Sequence, residues 1–336
     1  MTAHLATRLR KLRGHRPRLQ QNPHPVLVCA QNPFVIWNLI SRKYDWISIM
    51  RFMRLLSRFT LILVVAVSCS ATARAQLAAA NKAGVSMGHL HYHVRDVEVN
   101  KRFWSALGGQ AIKIGDTDVM RFPGVLVFLS SGASSGGTEG SVLNHVAFRV
   151  PSLSKVEEAG LTVVPVAGFP GVASVMTPDG ERVELFEDAA RNLTFTQDPG
   201  YNDPVAERHN KAVPTAIAFH HIHVYVTEES VAEVKAWYVR MFGGTPGKRS
   251  QYDAVDLPGM NLNISSPPRG TAPTRGRMLD HIGLEVTGLE QFCTKLASMG
   301  VKFTVPYARD AAGFASAAFT DPWGVSIELT EGLRRF

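Results

Sequence analysis

MGHLHYHVRD at 87–96, FWSALGG at 103–109, LNHVAFRV at 143–150 and TPDGERVELFE at 177–187 occur a second time in the same order. The second set is FHHIHVYVTE at 219–228, WYVRMFGG at 237–244, LDHIGLEV at 279–286 and TDPWGVSIELTE at 320–331. The chain is therefore an internal duplication, and that repeat governs the reading of every motif within it. Alignment of the copies places His89 on His221, His145 on His281 and Glu184 on Glu328, spaced 56 and 39 residues in the first copy and 60 and 47 in the second. A single His at the head of a strand is more often a hydrogen-bonded structural residue than a ligand. Two imidazoles and one carboxylate, matched twice, shift the balance toward a divalent metal.

Each copy opens with an alternating stretch, His89 to Val94 or His221 to Val226, that fits a strand with one special face. His91, His93, His223 and Tyr225 stand two and four residues beyond the first His and so share its face. They can orient a substrate or move protons; simple cavity lining is the equal alternative. His91, His223 and Tyr225 are the catalytic candidates, whereas His220 points the other way and reads as packing or surface. An amphipathic helix is expected next. Asp96 caps the first, with Val99, Phe103, Trp104 and Leu107 inward and Gly108-Gly109 at its end. Thr227 opens the second, with Val234, Trp237, Tyr238 and Met241 inward and Gly243-Gly244 closing it.

Short strands are expected near 118–122, 125–130, 253–257 and 260–264, and a second strand–helix–strands unit begins at His145 and at His281, with helices near 153–159 and 289–299. Each copy is thus two β-α-β-β-β units, an α+β architecture. The copies delimit a first domain at 88–188 and a second at 218–334. The segment 189–217, with Pro199, Pro204 and Pro214, reads as a linker.

Of 336 residues carrying a net charge of +8, the first 75 hold 12 Lys/Arg and one Asp. The rest holds 24 Lys/Arg against 27 Asp/Glu, close to −3. The basic balance is thus no argument for a nucleic-acid partner. From Met50 the chain runs through MRFMRLLSR, the apolar FTLILVVAV at 59–67, and SCSATARA, whose Ala73 and Ala75 form an A-x-A site. Residues 50–75 read as a secretory signal peptide, too short in its apolar run to span a membrane. Residues 1–49 read as lying outside the native product. The destination is periplasmic or secreted, with lipidation at Cys69 as the alternative. Once the leader is cleaved only Cys293 remains, which excludes an intrachain disulfide; its apolar-periodic surroundings suit a buried helix position.

These features resemble the vicinal oxygen chelate superfamily of glyoxalases, bleomycin resistance proteins and extradiol dioxygenases. Its marks here are a His seven residues before an acid (His89 to Asp96, His221 to Glu228), an aromatic pair before a Gly turn, a second strand-heading His, and a Pro-x-Gly-x-x-x-Glu turn and strand ending at Glu184 and Glu328. The resemblance implies two tandem domains, each a curled sheet around a metal cavity. His89, His145 and Glu184 would meet in one cavity, and His221, His281 and Glu328 in the other. It further implies Fe(II), Mn(II) or Zn(II) with open coordination positions, polarising a small substrate with adjacent oxygens. A fourth ligand is common in the family on the strand before the central loop, where this chain has Phe128 and Asn263. That departure leans toward a three-ligand, dioxygenase-like centre, with glyoxalase-type lyase or isomerase chemistry open. The alternative is a non-catalytic protein that sequesters a small molecule, and homo-oligomers are compatible with the resemblance.

Overall fold

A computed structural model of the chain describes residues 77–187, 194–203, 217–266 and 271–336, all within the compact unit Cys69–Phe336. The leader expected over 50–75, Cys69 and most of the 189–217 linker lie outside the described residues. No described helix is long and apolar enough to cross a membrane.

The first copy contains β1 (Val85–Val94), α1 (Val97–Ala106), β2 (Gln110–Ile114), β3 (Thr117–Phe122), β4 (Val125–Ser131), β5 (Leu143–Val150), α2 (Leu153–Glu158), β6 (Val164–Pro165), β7 (Val172–Met176) and β8 (Arg182–Glu187). After β9 (Phe195–Gln197), the second copy contains β10 (Ala218–Tyr225), α3 (Val231–Phe242), β11 (Thr245–Arg249), β12 (Tyr252–Leu257), β13 (Met260–Ser265), β14 (Leu279–Val286), α4 (Leu289–Ser298), β15 (Phe303–Arg309), β16 (Ala315–Thr320) and β17 (Ser326–Glu331). The paired β-α-β-β-β units stand as expected. Asp96 caps α1 through its carboxylate, which accepts from Val99 N at 3.0 Å. Gly243 ends α3 in the left-handed region at φ 68°. The expected linker is not purely a linker, since β9 pairs with β11 at the sheet edge.

Eight strands form one sheet in the order β15-β16-β17-β14-β1-β4-β3-β2, and nine form the other, β6-β7-β8-β5-β10-β13-β12-β11-β9. Each sheet therefore joins the first half of one copy to the second half of the other. The seams are the antiparallel pairs β1–β14 and β5–β10. The apolar core follows different lines. On β1, Leu90, Tyr92 and Val94 are buried on the face opposite the histidines. Tyr92 lies 5.7 Å from Trp104 on α1, which also meets Phe122 at 5.9 Å and Phe148 at 6.0 Å. Trp237 on α3 likewise meets Phe242, Trp323 and Phe319 at 5.6, 5.9 and 6.4 Å. Most of these aromatic contacts stay within a copy, although Phe148 also meets Phe219 of the other copy at 5.3 Å, and the histidine faces look across to the other copy. Cys293 is buried in α4, as its periodicity required.

Candidate metal and substrate sites

Strand register builds the first site. His89 pairs with Gly283 across β1–β14, Gly283 pairs with Glu328 across β14–β17, and His91 pairs with His281. Paired residues on adjacent strands point to the same face, so all four side chains project into one space. His89 Nε2 lies 3.1 Å and His281 Nε2 3.3 Å from the same Glu328 Oε2. Gly283 leaves the room that the His89 ring takes up, since a Cβ there would fall 2.0 Å from it. The second site repeats the layout on β10, β5 and β8, where His221 pairs with Ala147, His223 with His145, and Ala147 with Glu184. His145 Nε2 lies 3.2 Å and His221 Nε2 3.5 Å from Glu184 Oε1.

The candidate ligands are therefore grouped differently from the expectation. His89 joins His281 and Glu328, not His145 and Glu184; His221 joins His145 and Glu184, not His281 and Glu328. The physical reason is the seam. A four-stranded half-unit leaves β1 or β10 with an unpaired edge, and the partner that satisfies it is the fifth strand of the other copy. Both copies offer the same hydrophobic pattern there, so spacing along the chain cannot say which half closes on which.

The surroundings differ between sites. Behind His281, Nδ1 donates to Asp280 Oδ1 at 2.6 Å, and Asp280 Oδ2 accepts from Gly276 N at 2.6 Å. His93 Nε2 is 3.6 Å from that oxygen. Behind His145 stands Asn144, whose Oδ1 is 2.7 Å from Nδ1, and Arg182, whose Nη2 lies 2.9 Å from the same Oδ1 and 2.5 Å from Nδ1. Arg182 Nη1 also reaches Glu184 Oε2 at 3.3 Å. His220 is buried, stacks on Phe186 and places Nδ1 2.7 Å from His221 Nδ1, so it backs the His221 ring.

Burial keeps His89 and His221 below their ordinary value, and burial plus the Arg182 charge does the same for His145. These rings are neutral near pH 7, as a metal ligand must be. His281 differs: burial opposes its charge, but the bonds to Asp280 and Glu328 raise it to about 9. The same two carboxylates that hold a proton there would favour a cation in its place. Glu328 is held well below the carboxylate range by His281 and His89 despite its burial.

The catalytic candidates line these spaces. His91 Nε2 bonds Ser130 Oγ at 2.7 Å and His223 Nε2 bonds Ser265 Oγ at 2.8 Å. Burial and neighbouring histidines lower both rings to about 3, which suits hydrogen bonding to a substrate better than proton cycling near neutrality. His89, His91 and His281 form one group able to hold an ion, and His145, His221 and His223 another. Tyr225 stands 5.0 Å from His223, and Tyr252, which sequence reasoning missed, 4.8 Å. Phe128 pairs with His91 and Asn263 with His223, so the two aligned residues occupy equivalent places in the two sheets. Phe128 offers a ring 4.9 Å from His89 and no donor atom. Asn263 is buried with Oδ1 unbonded. Asp280, Asn144, Arg182 and Gly283 were also missed, although a comparison of the copies next to each ligand would have shown them.

Residues 218–329 match the sequence model of the Glyoxalase/Bleomycin resistance protein/Dioxygenase superfamily. Glyoxalase I from Zea mays has a similar fold at 15% identity and a TM-score of 0.54, over 75% of this chain and 94% of that one. A point mutant of the same enzyme gives 0.53 with the same coverage. A putative dioxygenase from Bacillus subtilis is 18% identical over 76% of this chain and 86% of its own, with a TM-score of 0.48. No protein of curated function matches the chain in sequence. The resemblance read from the four repeated strings is thus shown: the second copy carries the sequence pattern of the vicinal oxygen chelate superfamily, and the described chain has its fold.

Proposed function

We propose that this is an exported metalloenzyme of the glyoxalase or dioxygenase kind, acting on a small substrate with two adjacent oxygens. The observation that carries the reading is the convergence of His89, His281 and Glu328. Two imidazole nitrogens lie within 3.3 Å of one carboxylate oxygen, and His89, His91 and His281 bring their ring nitrogens close enough to share one ion. Ring nitrogens and a carboxylate oxygen that converge in this way fit an ion at their common point. Two His and one Glu would hold Fe(II), Mn(II) or Zn(II) with positions open to a substrate, and the bound ion would supply Lewis-acid polarisation of both oxygens.

The chain's own residues do the rest. Asp280 holds His281 in the tautomer that presents Nε2. Phe128 and the β1–β14 seam keep His89 dry, and His91, held by Ser130, presents its ring beside His281 at 4.7 Å. Export rests on the charged, apolar and A-x-A succession over 50–75, and mature protein from the native host should begin at Gln76, or at a lipidated Cys69.

The test compares chelated and reconstituted protein, with Glu328→Ala alongside, for turnover of catechols and 2-oxoaldehydes. Glu328→Ala should lose both ion and turnover. Full activity in metal-free Glu328→Ala would remove the metalloenzyme reading, and ligand binding that survives chelation without turnover would leave sequestration in its place.

A further inference from the structure

The two cavities differ in their walls. The second, of about 170 Å³, places four aromatic rings, Phe169, Phe186, Tyr225 and Tyr252, beside His145, His221 and Glu184. The first is walled by Val305, Ala318, Ser326 and histidine or charged groups, with no Phe, Tyr or Trp among its described lining residues. The difference is written in the repeat. Strand register aligns Phe186 with Thr330, Tyr225 with His93 and Tyr252 with Thr117. Phe169 stands on the β6–β7 hairpin; the matching β15–β16 hairpin carries Phe314, which packs with Leu126 and Leu333 in a separate apolar cluster.

Phe169 is held at the cavity mouth by its turn. It lies between Gly168 and Gly171, both at positive φ (80° and 77°), and is half-exposed. Phe169 N donates to Val166 O at 3.1 Å, and Val172 N to Phe169 O at 3.0 Å. The ring borders the cavity without belonging to the core, so a ligand seated inside would cover more of it.

Among these rings stands one buried acceptor. Asn263 lines the same cavity, is 2% exposed, and its Oδ1 has no hydrogen-bond partner. A buried acceptor without a donor is unfavourable, and a ligand that brings an O–H relieves it. The guanidiniums of the cavity are already engaged: Arg182 with Asn144 and Glu184, Arg249 through Nε with Asn261. In the first copy the aligned residue is Phe128, which offers no acceptor. Aromatic walls with one placed polar group are the usual make-up of a small-molecule pocket. A cavity of about 150 Å³ accommodates benzene, so this one has room for a single ring with a small substituent.

We propose that the second cavity binds a monocyclic phenol, its ring among Phe169, Phe186, Tyr225 and Tyr252 and its hydroxyl donating to Asn263 Oδ1. This ligand class belongs to the nine-stranded sheet's site and stands independently of the metal reading, which the first site carries.

The experiment uses the full chain after chelation, with phenol as the calorimetric probe. One equivalent should bind per chain. Cyclohexanol, with the hydroxyl but no π face, should bind more weakly. Phe169→Ala alters a half-exposed residue and so keeps the fold; it should weaken phenol by roughly two- to tenfold. Toluene has the shape of phenol without the donor, so the phenol-to-toluene affinity ratio should fall by roughly two- to tenfold in Asn263→Leu. Thermal unfolding is recorded alongside, and Asn263→Ala takes the place of Asn263→Leu if the larger side chain unsettles the sheet. Val305→Ala, in the wall of the first cavity, should leave phenol binding unchanged. Absence of phenol binding, two equivalents per chain, an affinity indifferent to Phe169→Ala, or an unchanged phenol-to-toluene ratio in the Asn263 variant would overturn the proposal. Absence of turnover in metal-reconstituted protein would count instead against the metalloenzyme reading, and the phenol series would still decide the second cavity.

Discussion

Gly283→Ala should dismantle the first site while leaving the fold in place. The added Cβ would lie 2.0 Å from two His89 ring atoms, Cε1 and Nδ1, and 2.5 Å from a third. Non-bonded carbon contacts settle near 3.5–4.0 Å, so the ring must move by about 1.5 Å. It cannot do so freely, because His89 is buried and Phe128 stands 4.9 Å away. Overpacking of this size costs roughly 1–3 kcal/mol, small enough for the sheet to survive. The ligand geometry is less forgiving, since metal–ligand distances tolerate only about 0.2 Å. Loss of an outer-shell partner already costs about 10–100-fold in metal affinity, so displacing a direct ligand should cost more. Calorimetric titration with Mn(II) or Zn(II), paired with thermal unfolding, reads both effects. Ala147→Gly, at the matching place beside His221, serves as the control and should leave the first site's affinity unchanged. Unaltered metal affinity in Gly283→Ala would refute the reasoning, because it would mean that the His89 ring does not need the space that Gly283 leaves.

Asp321 is buried, accepts from Val325 N at 2.7 Å and from the Tyr238 hydroxyl at 2.9 Å, and is raised by burial from 3.8 to about 6. A carboxyl raised on folding contributes its stability below the ordinary value and loses it as pH rises through the folded one. Urea unfolding should therefore show the wild type losing on the order of 3 kcal/mol relative to Asp321→Asn between about pH 4 and pH 7; a difference that does not change with pH would count against it. Trp104→Ala removes the indole at the centre of the Tyr92–Phe122–Phe148 cluster and should cost about 3–5 kcal/mol, whereas a loss below about 1 kcal/mol would show that the first copy's core does not depend on it.

The sequence alone determined the elements and the ligand types. Alternation over His89 to Val94 assigned histidines to one face and Leu90, Tyr92 and Val94 to the other, because the side-chain period of a strand is two. Helical spacing put Trp104, Trp237 and Tyr238 in the core, where they lie, and Asp96 at a helix start. Duplication singled out the six ligand candidates, and alignment put Phe128 and Asn263 at matching positions, which the strand register sets opposite His91 and His223. These features are local or periodic, and short-range sterics and hydrogen bonding are enough to fix them. Only the tertiary structure decided which ligands meet. β1 can pair with β14 or β5 without any change in its own residues, and the choice between them is a long-range closure that leaves no trace in spacing. Replacements within the repeat, Asn144 for Asp280 and Arg182 for Ser326, make the two sites of one ancestral pattern chemically unlike. Gly283 shows the limit most clearly, since its role as a space for the His89 ring exists only once a strand nearly 200 residues away lies beside it.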